Sequence, residues 1–398
     1  MRKPPVLDDV VSPVALYNID LADLGTAPLR LATPYHCVIW RGGRAVGVLR
    51  NFAQQGSVDD LTRACQQLAA AEPPAPSAGP SRSATVVICT RDRAGELNRC
   101  LGSFRDQTRS PDQVVVVDNA SIGDETRQVA LSHGVTYVRE PRPGLDFARN
   151  TGAAAASGDI VAYTDDDTVL HPAWLEELIA AFDHPDIWAV TGLVLPAELE
   201  TPAQCVFEKA WGFGKGFERR DFGPEFYAAT RRLGCPAWDV GAGANMAFRR
   251  DVFERVGGFD DRLDVGAAGC SGDSEYWHRI LHAGGVCRYE PRAIVHHFHR
   301  REFSGLRQQI RAYMRGHVAA LLVQYERTGE KGNVRRLLRS MPKWYARQVL
   351  RRLGGRRDAS TCMLDEEIRG YLEGVVYFAR APKPGAPARL AHSGSISR

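Results

Sequence analysis

The chain has 398 residues, of which 44% are hydrophobic and 25% charged, and a formal net charge of +4 at pH 7. That length allows a large core and more than one structural unit, the balance is that of a globular protein, and so small an excess of positive charge argues against a nucleic-acid partner. Nine cysteines are scattered without a C-x-x-C pair, which fits reduced, packed thiols and a cytoplasmic location better than a disulfide framework.

The first residues lack the apolar run of a signal peptide, and no window reaches the roughly 18 apolar residues of a spanning helix. Any membrane contact is therefore expected from the surface. Residues 1–71 read as a small α+β unit: a hairpin of 35–40 and 45–49 turning at Arg41-Gly42-Gly43-Arg44, then a helix over 57–71 opened by a capping-box pattern. No chemistry is legible there. Residues 72–83, rich in proline and serine, read as an extended linker.

From residue 84 to about 300 the pattern changes. β-Branched runs at 84–89, 113–118, 135–138 and 159–163 alternate with helical stretches. Apolar strands separated by amphipathic helices predict an α/β fold, a mostly parallel doubly wound sheet buried on both faces. Such sheets bind ligands beyond the carboxyl ends of their strands. Those ends carry Thr90-Arg91-Asp92-Arg93, Asp118-Asn119-Ala120-Ser121 and Thr164-Asp165-Asp166-Asp167. One strand-ending aspartate is ordinarily a cap or turn residue; three polar ends on one rim point to a ligand.

Adjacent carboxylates raise one another's pKa unless a cation or hydrogen-bond donors hold them. If the strand continues, Asp165 and Asp167 point the same way and offer two hard oxygen ligands to Mg2+ or Mn2+; the other reading of the run is a solvated turn. Between these strands, 144–156 carries small residues suited to close helix-to-sheet packing. It places Arg149 and Asn150 to touch a nucleotide or to orient the carboxylates, with plain ion pairing in the core as the other reading of Arg149. Neither G-x-x-x-x-G-K-[ST] nor G-x-G-x-x-G follows the first strand, so P-loop and Rossmann readings lose their support.

The segments 86–93, 114–121, Gly144-Leu145-Asp146-Phe147-Ala148-Arg149-Asn150-Thr151-Gly152 and Asp165-Asp166-Asp167, in that order and spacing, resemble the family 2 glycosyltransferases of the GT-A fold. The segments 241–249, Gly257-Gly258-Phe259-Asp260 and 272–277 resemble that family's acceptor-side motifs, so the resemblance covers about residues 84–300. It implies a nucleotide-sugar donor, Mg2+ or Mn2+ on the diphosphate, and inversion at the anomeric carbon. By analogy Thr90, Arg91, Asp92 and Asn119 belong to the nucleoside pocket, Asp118 takes base or ribose, Asp165 takes ribose or metal, Asp167 takes metal, and Asp166 serves in either role. A Lewis-acid metal neutralises a leaving diphosphate, and a carboxylate base deprotonates the attacking hydroxyl.

The base is expected at the start of a helix over 271–284: Asp273 first, with Glu275 in reserve. A capping aspartate is the plainer reading of Asp273. Here the chain departs from the family, whose usual Glu-Asp pair reads Gly272-Asp273, with Glu275 where an aspartate is common. Beyond a strand at 286–289, His296, His297 and His299 cluster. His297 and His299 would share a face of a strand, and the family's histidine motif implies His297 as a further metal ligand. The aromatic and glycine-rich stretch 206–217 suits an acceptor platform or lid.

Residues 301–380 read as a helical appendage and 381–398 as a disordered tail. Within the appendage 335–352 mixes arginines with Leu, Met and Trp344 and is interrupted by Pro342, which predicts two short helices. Residues 335–357 are expected to contact an anionic membrane peripherally, the other reading being a solvated basic face. Taken together, the expectation is a cytoplasmic inverting glycosyltransferase of cell-envelope polysaccharide, glycolipid or natural-product glycosylation. Its acceptor would be a carbohydrate, a lipid-linked or a small molecule. The alternatives are nucleotidyl transfer to a sugar phosphate and a catalytically decayed nucleotide-sugar-binding module.

Overall fold

The computed structural model describes residues 10–23, 34–52, 82–355, 358–359 and 361–381. The helix expected over 57–71, linker residues 72–81 and the tail beyond 381 lie outside the described residues. Strands β1 (Ala15–Asp20), β2 (Tyr35–Arg41) and β3 (Arg44–Asn51) form a first sheet, β1 parallel to β2 and β2 antiparallel to β3. The β2–β3 hairpin turns on Gly42 and Gly43 at φ of 54° and 76°, a left-handed conformation that glycine adopts without penalty. Strand β1 has no counterpart in the sequence reading.

The second sheet contains β4 (Ala84–Thr90), β5 (Gln113–Asn119), β6 (Thr136–Glu140), β7 (Ile160–Asp165), β8 (Thr168–Leu170), β9 (Ile187–Pro196), β10 (Arg220–Phe222), β11 (Asn245–Arg249) and β12 (Val286–His297). Its order is β10-β12-β9-β11-β7-β4-β5-β6, with β8 paired to β12. Neighbours from β7 to β6 are parallel, β11 runs antiparallel between β7 and β9, and β12 is parallel to β9. The two strands read around 286–289 and 294–299 are one, β12, with a register irregularity between Glu290 and Ile294.

Around this sheet lie α1 (Ala94–Gly102), α2 (Glu125–Ser132), α3 (Leu145–Ala155), α4 (Trp174–Ala180), α5 (Pro202–Trp211), α6 (Pro224–Thr230), α7 (Val252–Val256) and α8 (Gly272–His282). The appendage comprises α9 (Phe303–Thr328), α10 (Lys331–Arg335), α11 (Met341–Leu353) and α12 (Leu364–Arg380). Alternate residues of the β-branched runs serve opposite faces. Val86, Ile88 and Val116 meet Leu97, Trp174 and Leu178 on one side, while Val87, Val115 and Val117 meet Ala148 and Ala153 on the other. Helix α3 can lie this close because Gly152 has no side chain: a Cβ there would stand 2.3 Å from Val87 Cγ1.

The first sheet is packed on the second. Val38 and Ala45 share a core with Leu193 and Leu195, and Trp40 stacks on His171 with ring centroids 5.3 Å apart. In the appendage, Pro342 does not break the chain into two pieces. It falls in the first turn of α11, where the missing N–H costs nothing, and a π-helical turn, Arg336–Ser340, joins α10 to α11.

Candidate active site

The carboxyl ends of β4, β5 and β7 open onto one cavity of about 1230 Å³. Thr90, Arg91 and Arg93 enter it after β4, Asn119 ends β5, and Asp165, Asp166 and Asp167 follow β7. His297 enters from the end of β12, Asp273 from the first turn of α8, and Arg149 from α3. Trp211, Gly212, Phe213 and Lys215, from the aromatic stretch after α5, also line it.

The three adjacent aspartates are separated by what each one touches. Asp166 accepts from Thr90 Oγ1 at 2.7 Å and from Arg93 Nη1 at 2.7 Å, while Arg93 Nη2 donates to Asp167 Oδ2 at 2.9 Å. Burial pushes Asp166 up to about 7 against the pull of Arg93, and burial together with the charge of Asp167 pushes Asp165 up to about 6. Burial also opposes ionisation of Asp167, yet His297 and Arg93 hold its carboxyl well below the usual range. The local field therefore concentrates negative charge on Asp167.

Asp165, Asp167 and His297 each present a ligand atom within 4.8 Å of the others. Asp167 Oδ1 is buried and accepts no hydrogen bond, and His297 Nε2 stands 3.2 Å from it. Two donors on one small dication sit about 3 Å apart. Two carboxylates and an imidazole suit Mn2+ or Mg2+, and so small a protein shell leaves coordination positions for diphosphate oxygens. These residues therefore fit the implied metal, with Asp165, Asp167 and His297 the ones able to hold it.

Asp273 also lines the cavity, and its Oδ1 accepts from the backbone N–H and hydroxyl of Ser274 at 2.6 and 3.1 Å. Burial raises its pKa and the neighbouring Asp264 adds to this, while Arg149 works the other way. Arg149 itself is buried and donates to Asp146 Oδ1 at 3.0 Å and Asp264 Oδ2 at 2.6 Å. Two glycines make room for this cluster. A Cβ on Gly243 would lie 2.9 Å from both Arg149 Nη2 and Asp273 Oδ2, and one on Gly272 would lie 2.1 Å from Asp146 Oδ2. The Asp146 carboxylate thus fills the space beside Gly272. Asp264 and Ser271 hold left-handed backbone at φ of 60° and 75°, a strain of order 1–3 kcal/mol each that is typical of functional loops.

Nine of the thirteen residues singled out from the sequence line the cavity: Thr90, Arg91, Asn119, Arg149, Asp165, Asp166, Asp167, Asp273 and His297. Four are placed elsewhere. Glu275 is fully buried and closed by Arg279, with contacts of 2.8–3.0 Å, so it is withdrawn as a reserve base. Asn150 clamps the backbone of Phe259 through both amide atoms, bracing α3 rather than facing a ligand. Asp92, at φ 53°, accepts from the Ile122 N–H, and buried Asp118 accepts from the Ser121 N–H and the Tyr137 hydroxyl. These two shape the rim from behind. Arg93, Asp146 and Asp264 were missed as site residues; Arg93 and Asp146 sit inside quoted motifs, whereas Asp264 lies in a turn-like run that no periodicity marks.

A wound sheet with an acidic, metal-ready rim over a deep cleft defines the GT-A class of fold. A mannosyltransferase, PcManGT from Pyrobaculum calidifontis, in complex with GDP-Man and Mn2+, shares it with a TM-score of 0.50 at 20% identity, over 79% of this chain and 92% of that one. Residues 85–257 match the family model Glycosyl transferase family 2, and that segment is a family 2 glycosyltransferase domain. The chain is 28% identical over 211 residues to the glucosyl-dolichyl phosphate glucuronosyltransferase of Haloferax volcanii, covering 51% of this chain and 61% of that protein. It is 30% identical over 262 residues to the pre-mycofactocin glycosyltransferase of Mycobacterium tuberculosis, covering 63% of this chain and 50% of that protein. The chain thus spans 50–61% of the length of these curated relatives.

Proposed function

We propose that the protein transfers a sugar from a nucleotide-diphosphate sugar to an acceptor hydroxyl, with inversion at the anomeric carbon and with Mn2+ or Mg2+. The observation that carries this reading is the meeting of Asp165, Asp167 and His297 at the carboxyl ends of their strands, in a cavity that Asp273 also lines. When bound, the metal would neutralise charge on the leaving diphosphate. Asp273 is the general base: its raised pKa gives it a greater appetite for the acceptor's proton than an ordinary carboxylate has. Thr90, Arg91 and Asn119 face the nucleoside, and Arg149 keeps Asp264 and Asp146 compensated so that Asp273 can ionise beside them.

The acceptor end is framed by Trp238, Met314, Met341, Trp344 and Tyr345, a wall largely apolar and supplied in part by the appendage. That wall supports an acceptor whose hydroxyl is carried on a lipid or another apolar group. No helix among the described residues is long and apolar enough to cross a membrane. Contact with such an acceptor would be peripheral, through α11, which exposes Trp344, Leu350 and Leu353 beside Lys343 and Arg347.

Product analysis with a panel of nucleotide-sugars tests the reaction. The expected product is a nucleoside diphosphate, with Asp167→Ala and Asp273→Asn each lowering turnover by roughly 10²–10⁴-fold in folded protein. Pyrophosphate formed from a nucleoside triphosphate would instead establish nucleotidyl transfer, and donor binding without turnover across a broad acceptor panel would establish a binding module.

A further inference from the structure

Helix α5 carries a carboxylate that the reaction does not use. Glu208 is 2% exposed and lies behind the cavity wall. Arg50 Nη2 stands 2.8 Å from it and His36 Nε2 3.6 Å, both from the first sheet, and His299 Nε2 is 3.1 Å away. His299 hands the contact on: its Nδ1 is 3.2 Å from Nδ1 of His297, whose Nε2 faces Asp167. Phe207 and Phe213 pack against the two rings, at 4.7 Å from His299 and 5.3 Å from His297, and fix their planes.

We propose that Glu208, with the N-terminal strands that hold it, is a positioning residue that sets the tautomer and aim of His297. This rests on the reading of Asp165, Asp167 and His297 as metal ligands. An ionised carboxylate can only accept, so the proton of a neutral His299 sits on Nε2. Its Nδ1 is then a bare lone pair, which can only accept from Nδ1–H of His297. With a divalent cation between Asp167 and His297, that arrangement leaves Nε2 as the nitrogen whose lone pair faces the cation; before the cation binds, the charge of Asp167 favours a proton there. Burial works against the charge on Glu208, yet His299, His36 and Arg50 bring it down to about 2, so it stays an acceptor at any working pH. Without the carboxylate nothing forbids the opposite orientation of both protons, which would put a hydrogen on the ligating nitrogen. Strands β2 and β3, which lie outside the matched segment 85–257, thereby gain a part in the site.

Two readouts on the full-length chain test this. Long-range 1H–15N spectra of histidine-labelled, metal-free protein should show His299 as the Nε2–H tautomer, and Glu208→Gln should lose that assignment. Titration calorimetry with MnCl2 alone should show binding weakened roughly 10–100-fold in Glu208→Gln, and weakened several-fold in Arg50→Met, which keeps the alkyl stem and serves if the first variant folds poorly. A lowered melting temperature with Mn2+ affinity unchanged would make Glu208 a purely structural residue and overturn the proposal, as would His299 found as Nδ1–H. Wild-type protein that binds no Mn2+ would overturn the metal reading itself, and this role with it; unchanged affinity in the variants overturns the role alone.

Discussion

Asp166 keeps Thr90 and one arm of Arg93 to itself, Asp167 takes the other arm and His297, and Asp165 is left with neither. Three neighbours in sequence thus hold three different protonation habits, and the mutual repulsion is met by a cation and a hydroxyl before any metal arrives. The contrast between Asp273 and Glu275 has a similar source. Residues two apart on a helix point to opposite sides, and Glu275 has its arginine at i+4, a pair visible in the sequence as Glu275 and Arg279. Only Asp273 could face the cleft. Glu367, on α12, shows what a buried carboxylate without such a partner does. It is 4% exposed, Oε2 accepts nothing, and burial pushes it up to about 7 against a single contact from Trp211 Nε1 at 3.3 Å. The native state therefore holds more protons than the unfolded chain between the ordinary glutamate pKa and about 7, and stability falls as pH rises through that window. Glu367→Gln should match wild type in denaturation at about pH 4 and exceed it by on the order of 3 kcal/mol at pH 8. Equal stability at both pH values would show that this carboxylate titrates normally.

Strands β4, β5 and β7 were legible because doubly buried strands need continuous β-branched runs, and α3 because its glycine and alanines announce close packing. Strand β1 was not, since its alternation is interrupted by polar residues on its partly exposed face. The end read after the strand at 286–289 is a register irregularity within β12, because the strand resumes its pairing with β9 at Ile294. At Pro342 the sequence showed a helix breaker where the fold uses a helix starter, a distinction set by the π turn just before it. Helix α11 buries Met341, Tyr345 and Gln348 and leaves Leu350 and Leu353 outward, 67% and 77% exposed. Apolar residues flanked by Lys343 and Arg347 are the composition of an interfacial helix. Sedimentation with vesicles containing phosphatidylglycerol should retain the wild type at low salt and release the double variant Leu350→Glu, Leu353→Glu. Equal retention of both would assign the binding to another surface.

At the scale of the molecule, the cleft is a joint product of parts far apart in the chain. The sheet rim supplies the carboxylates, the first sheet backs His297 through Glu208, and the appendage walls part of the cavity. Ordered motifs made the rim readable, because strand ends on one parallel sheet necessarily share an edge. Contacts such as Arg50 with Glu208, or Arg149 with Asp264, join segments more than a hundred residues apart and leave no local signature. The N-terminal strands consequently looked free of chemistry in the sequence and stand behind the metal-ready residues in the fold. The most direct test is an anomalous-difference map at the manganese edge from crystals grown with Mn2+ and a nucleotide-sugar. One peak bounded by Asp165, Asp167 and His297, with the diphosphate on its open side, is the expected result. A nucleotide-sugar bound with its diphosphate elsewhere, and no peak among those three side chains, would contradict it.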